Sequence, residues 1–437
     1  MHSVAEEVES DITPLPAVEW QGQGWHRRVN RKFVYALFDQ GIVSFGNMVV
    51  SAAVSRNCAQ GDFGVFILAL RSLDVINQIC NVFIWAPYTF NVQSMTEERQ
   101  KRYLGSVLMH QVFSSAVALL LLLALSLLAS SHSSSEYGDL FLAVSLPSLA
   151  IIFREFTRRM YFAHMRFLEA LVVDTITVTL QVAGILYLIR RGEMRPSTAL
   201  AALALSAACV CLYWFATEWK HIAFSWREVR GDLSLNMDLG KWFFGSNMLF
   251  LGSQQMSPWL LTATSGPTSV AALAVCEQVV NIPRVALASM QNAMAPTMAR
   301  SFADGGKEAL RKTVRRLDLV IISGSAVCAV GVMLFGPWIS TAIFHKTPAN
   351  SRVIFILMAL NLLAYAASLA QSYGLSAINR ADLNVYAGLF GMVAQLALAF
   401  GLVRAYGVPG VTFALLVGNS VVLAARIVYY LREMRRP

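Results

Sequence analysis

The sequence predicts an all-α integral membrane protein of about twelve transmembrane helices in two pseudo-symmetric six-helix bundles. Three observations carry that prediction. First, the 437 residues are 56% hydrophobic and only 14% charged, with a mean hydropathy of +0.54, whereas a soluble chain keeps roughly a quarter of its residues charged. Second, apolar runs of about 20 residues, enough to cross a bilayer, recur along the chain. Third, the pattern of the first half returns in the second.

The spans follow from the apolar runs and the polar turns that interrupt them. In the first half they are 33–54, 63–90, 104–129, 140–163, 170–189 and 197–219; in the second they are 242–263, 268–298, 319–344, 353–378, 383–403 and 411–430. This divides the chain into a tail (1–32), a bundle (33–219), a linker (220–241), a second bundle (242–431) and a short tail (432–437). The N-terminal tail is acidic and then basic, and it lacks the apolar core of a signal peptide, so no cleavage is expected. In each half the second span is long and ends in a proline, in "NVFIWAPYTFNVQSMTEERQKRY" and "SMQNAMAPTMARSFADGGKEALRK". Six spans per copy return each half to its starting side, so the repeats are expected to be parallel, a transporter's architecture.

Lysines and arginines set the orientation. With Arg158 and Arg159 counted at the inner end of the fourth span, 24 of the 35 basic residues fall on the side of the N-terminus, seven on the other and four within spans. Both termini are therefore expected in the cytoplasm. The loop around Arg190, Arg191 and Arg195 runs against the rule. The net charge of +9 sits in these short loops, which suits membrane orientation and not a nucleic-acid partner.

Ionisable groups at bilayer depth are costly unless they face protein or water, so they are the functional candidates. Asp39 lies early in the first span. Arg71 and Asp74 stand at i,i+3 in the second, beside Asn77, Gln78 and Asn81. Glu277 and Arg284 stand at i,i+7 in the eighth, beside Gln278, Asn281 and Gln291. These groups are expected to border a hydrated cavity between the bundles. Pro87, Pro283 and Pro296 are candidate hinges, since each removes a backbone hydrogen bond. Each charged group also has a structural reading, as a local ion pair or a snorkelling side chain. Arg154 and Glu155 read as interfacial.

The six cysteines lie within or at the ends of apolar runs without zinc spacing, and read as small buried hydrophobes. There is no phosphate-binding loop and no catalytic triad context. The outside loops are short, so neither an enzyme nor a bound cofactor or metal is expected.

Twelve spans in two halves, with "DQGIVSFGNMVVSAAVSRNCAQGDFGVFILAL", "APYTF" and "HQVF", resemble the multidrug/oligosaccharidyl-lipid/polysaccharide flippase superfamily, and within it the O-antigen flippase type. The resemblance implies two bundles around a V-shaped cavity in the bacterial inner membrane. It also implies transport of an undecaprenyl-pyrophosphate-linked oligosaccharide, for surface polysaccharides such as lipopolysaccharide O-antigen or exopolysaccharide, by ion-coupled alternating access. A polysaccharide polymerase and glycosyltransferases would be the partners besides the bilayer. On that reading Arg71 and Arg284 would meet the diphosphate, since guanidinium matches phosphate oxygens. The amides of spans two and eight would meet sugar hydroxyls. Asp39, Asp74 and Glu277 would couple a proton or sodium gradient. The alternatives are a multidrug cation exporter of the same superfamily, a major-facilitator transporter, or a membrane-bound polymerase or ligase.

Overall fold

The computed structural model describes residues 23–92, 95–131, 135–346 and 348–436; the side chains of 23–34, 36–37, 135–137, 242–243, 246–250, 254, 286, 288–289, 292–293 and 295–296 lie outside it. The expected N-terminal tail is thus outside the described residues up to residue 22. Among those described there is no strand.

The helices are α1 (Gln23–Asn57), α2 (Gln60–Cys80), a π-helical turn (Asn81–Trp85), α3 (Ala86–Asn91), α4 (Glu97–Ser131), α5 (Ser135–Ala163), α6 (Phe167–Arg191) and α7 (Pro196–Glu218). A 3₁₀ turn (Trp219–His221) leads to α8 (Trp226–Ser265), α9 (Pro267–Phe344), α10 (Ser351–Ala367), α11 (Leu369–Ala377), α12 (Ala381–Tyr406) and α13 (Val408–Arg435). Every expected span falls, to within a residue, inside one of these elements or two or three consecutive ones. Among the described residues, nine helices are long and apolar enough to cross a membrane. The chain is a multi-pass membrane protein. Its large apolar side chains are also turned outward, with Leu127 and Val327 each 74% exposed, as helices solvated by lipid require.

Local chemistry sets the helix ends. α6 stops at Gly192, whose φ of +70° lets its N–H return to the carbonyls of Leu188 and Ile189, a left-handed cap that favours glycine. α7 then opens with a proline in its first turn, where no N–H is needed. The eighth and ninth spans are one helix, α9, interrupted only at Gly305 and Gly306. Ser301 and Thr313 share a hydrogen bond of 2.7 Å across that point. Twelve residues of straight helix would hold them about 18 Å apart. The chain therefore doubles back at the two glycines, and Gly306 takes a φ of +59° to do so.

Two compact units result. Unit 1 is Ala69–Asn247 with the described residues up to Val50. Its core stacks Trp85, Tyr88, Tyr103, Phe156 and Trp214. The segment expected as a linker, 220–241, is mostly helix and packs in this unit: Arg99 holds Asp232 through both guanidinium nitrogens, Tyr103 donates to Asn236, and His110 meets the carbonyl of Val229 at 3.0 Å. Unit 2 is Met248–Pro437 with Ser51–Leu68. Arg56 caps the end of α9, donating to the carbonyls of Ile343 at 2.6 Å and Ala342 at 2.5 Å. Gly64 meets the backbone of Pro267 so closely that a Cβ there would lie 2.0 Å from its carbonyl oxygen. Met294, Met298, Leu310, Leu362 and Tyr430 form the core of this unit.

Candidate transport site

In unit 1 the second span is not a uniform helix. α2 passes into the five-residue π turn before Pro87. Proline has no N–H to offer the carbonyl four residues back, so the turn widens where the ladder is broken. Two contacts hold it: the Trp85 indole donates to Gln111 Oε1 at 2.8 Å, and the Thr89 hydroxyl takes the carbonyl of Trp85 at 2.8 Å. Arg71 and Asp74 approach to 3.9 Å, Asp74 being the more open. Asn77, Gln78 and Asn81 follow, all half-buried, and the buried Oδ1 of Asn77 has no hydrogen-bond partner. Positions 71, 74, 78 and 81 form one stripe at helical spacing.

Unit 2 carries a second stripe, on the first arm of α9. Glu277, Asn281, Arg284 and Gln291 fall on one face, with Gln278 beside Glu277. Gln278 donates to Ser51 Oγ at 3.3 Å, and Gln291 to the Tyr365 hydroxyl at 3.2 Å. Glu277 and Arg284 lie about 10 Å apart along the axis, beyond direct pairing. Glu277 and Arg284 are half-buried and Asn281 is exposed. Pro283 sits in regular helix, since the non-helical dihedrals of α9 are at Gly305 and Gly306. Pro296 is helical too, but its side chain lies outside the described residues.

Asp39 belongs to a buried ionic network in unit 1. Its Oδ2 accepts from Arg158 Nη2 at 2.6 Å, and no donor reaches its Oδ1. Arg158 Nε also donates to Asp174 Oδ2 at 2.6 Å, and Arg154 bridges Asp174 and Glu155. Asp39 and Asp174 are fully buried and Arg154 is 9% exposed. The interfacial reading of Arg154 and Glu155 is therefore corrected: Asp174 draws Arg154 inward. Gly46 brings α1 and α6 together, because a Cβ there would stand 2.6 Å from Val178. That contact sets Asp39, two turns earlier, near Asp174, one turn before Val178. Asp174 was missed by the sequence reading, although an aspartate within "LVVDTITVTL" is itself a charge in an apolar span.

A cleft of about 290 Å³ opens among the ends of α4, α5 and α7 in unit 1, lined by Lys101, His164, Arg166, Glu218 and His221 among others. Arg166 donates to Glu218 at 2.7 Å, so its charges are largely paired.

Residues 89–302 match the family model described as polysaccharide biosynthesis protein, and residues 243–400 match the one described as MatE. No curated protein matches the chain in sequence. The fold is similar to an inward-facing multidrug resistance MATE family transporter of the MOP superfamily, with a TM-score of 0.74 and 14% identity over 91% of this chain and 98% of that one. An outward-facing transporter of the same description gives 0.67 and 14% over 93% and 95%. A MOP superfamily transporter from Pyrococcus furiosus, described by the reverse polarity of its binding pocket, gives 0.67 and 13% over 93% and 95%. With two family matches that together run from residue 89 to residue 400, and with this fold, the chain belongs to the multidrug/oligosaccharidyl-lipid/polysaccharide superfamily of transporters, in its polysaccharide-synthesis branch.

Proposed function

We propose that the protein moves a lipid-linked oligosaccharide, joined through a diphosphate to a polyprenyl lipid, across the bacterial inner membrane, with both termini in the cytoplasm. The match of residues 89–302 to the polysaccharide biosynthesis model carries this reading. The stripes of spans two and eight suit such a cargo. Each combines one arginine with one acid and amides, and a guanidinium fork matches diphosphate oxygens. Arg71 and Arg284 take the diphosphate, and Asn77, Gln78, Asn81, Gln278, Asn281 and Gln291 take sugar hydroxyls. Asp74 and Glu277 share their stripes with the arginines. A proton or sodium ion neutralising Asp74 frees Arg71 for the anionic cargo, and one neutralising Glu277 removes the opposing charge on the stripe of Arg284, which couples transport to an ion gradient. Asp39 is the third coupling candidate. Pro87, behind its π turn, is the hinge best supported by geometry, ahead of Pro283 and Pro296.

The test is reconstitution in vesicles with a fluorescent polyprenyl-diphosphate sugar. Arg71→Ala and Arg284→Ala are expected to abolish translocation while the protein inserts normally. Wild-type rates in both variants refute the assignment of these arginines. A second reading, a MATE-like cation antiporter, is favoured by the match of residues 243–400. It requires efflux of an organic cation by the same vesicles, with no movement of the sugar lipid.

A further inference from the structure

Among the described residues of unit 2 is a carboxylate that no cation neutralises. Asp318 lies in the second arm of α9, where its Oδ2 accepts from Gln371 Nε2 of α11 at 2.6 Å. Its Oδ1 is buried without a donor, and so is Gln371 Oε1. No lysine, arginine or histidine pairs with Asp318 among the described residues. The third neighbour is Tyr430 of α13, 5% exposed, whose hydroxyl is also buried without a partner. Its ring lies against α11 at Gly374, where a Cβ would stand 2.9 Å from Tyr430 Cε2 and 3.2 Å from Val314. Val314 is one turn before Asp318, and Gly374 is three residues after Gln371. The three polar groups therefore share one junction of three helices.

Two charged side chains flank the junction without closing it. Arg426, one turn before Tyr430, turns its guanidinium to Ser368 Oγ at 2.9 Å. Arg311, two turns before Asp318 on the same helix, is exposed. Tyr373 and Tyr365 border Arg426. What remains is a buried carboxylate oxygen, an amide oxygen and a phenol oxygen with unused lone pairs. A buried acceptor set of this kind draws positive charge.

The structure assigns Asp318 Oδ1, Gln371 Oε1 and the Tyr430 hydroxyl oxygen as a site for a monovalent cation, either a proton or a sodium ion. One carboxylate among neutral oxygens is too little for calcium or magnesium, which favour several carboxylates or waters. Among the described residues no cluster of three or more His, Cys, Asp or Glu is placed to hold a metal. The inference deepens the ion coupling proposed above and rests on it only for its use in transport. Cation binding itself is read without cargo.

The experiment follows thermal unfolding of the purified full-length protein in two arms. One varies pH in choline chloride; the other replaces choline with sodium at fixed pH. Wild type is expected to gain stability relative to Asp318→Asn as the cation is added, because the amide variant is permanently neutral at this site. The arm that responds identifies the proton or the sodium ion. Superimposable profiles of the two proteins in both arms overturn the site. Should Asp318→Asn fail to fold, Gln371→Met carries the same comparison, and a full wild-type response in that variant overturns it equally. A missing sugar-lipid signal in the vesicles leaves this outcome untouched, so the two readings fail separately.

Discussion

Replacing Asp174 by alanine tests the ionic network directly. The side chain is fully buried and is held by Arg154 and by Arg158. Each charge-assisted hydrogen bond contributes about 1.5–3 kcal/mol. Removing one partner of a buried ion pair costs about 3–5 kcal/mol, since the other charge stays in place without compensation. Asp174→Ala takes a partner from two guanidiniums at once, while Arg158 keeps Asp39 and Arg154 keeps Glu155, which puts the expected loss within that range. Asp39→Asn should cost far less. It replaces an ion pair with Arg158 by a bond from the same cation to a neutral amide oxygen, a difference of about 1 kcal/mol, and its other oxygen has no donor to lose. The assay is the midpoint of denaturant unfolding in detergent micelles. Adding Arg158→Ala to Asp174→Ala should deepen the loss, because Arg158 is the donor to the buried Asp39. If Asp39→Asn destabilises as much as Asp174→Ala, or if Asp174→Ala unfolds like wild type, the network is not the buried assembly described above.

Three more outcomes are expected. Arg99→Ala should cost about 3–5 kcal/mol, because it strands Asp232 and takes the 2.9 Å partner from Glu228; Arg99→Lys should recover only part, lacking the planar fork, and equal stability of wild type and both variants counts against the clasp. Gly64→Ala should destabilise by about 1–3 kcal/mol, because the added Cβ meets a backbone oxygen and not a flexible side chain; an unchanged unfolding midpoint refutes that close approach. Burial, and then the neighbouring Arg166 cation, hold the His164 imidazole below its ordinary value of 6.5. The unfolded chain therefore takes up that proton first. The His164 contribution is whole above pH 6.5 and is lost as the pH falls below it. His164→Asn should flatten the slope of stability between about pH 7.5 and 5.5, and parallel slopes contradict the assignment.

The helices were legible because hydrophobic length is a local signal. Each apolar run announces its own span, and the bend in α9 is marked by the pair Gly305-Gly306. Other features depended on information the local sequence does not hold. Asp39 and Arg158 are 119 residues apart in the chain, so nothing beside either one names the other. The same distance in kind hid Arg99 and Asp232, which turn the expected linker into a helix clasped to α4. Reading by hydropathy alone also favoured a linker there, since a helix beginning "WREVRGDL" is too polar to be recognised as part of a span. The π turn was illegible because Pro87 announces a broken ladder without saying how the chain absorbs it. The two polar stripes were readable from spacing; what they contact was not.

The network around Asp174 also bears on which of its acids would take up the coupling ion proposed above. Three acids, Asp39, Asp174 and Glu155, face two guanidiniums, Arg154 and Arg158, so the acids hold one charge in excess. Arg159 stands nearby but turns to the ring of Trp85, at 5.9 Å. A proton placed on Asp174 would loosen both arginines at once, whereas one placed on Asp39 has the empty Oδ1 to occupy. It would leave Arg158 still bonded to Asp174 at 2.6 Å and near Glu155 at 3.9 Å. Protonation of Asp39 would therefore weaken the tie of α1 to α5 without stranding a buried cation. The arrangement keeps the cost of switching on one helix, and α1 is the element through which this acid would act.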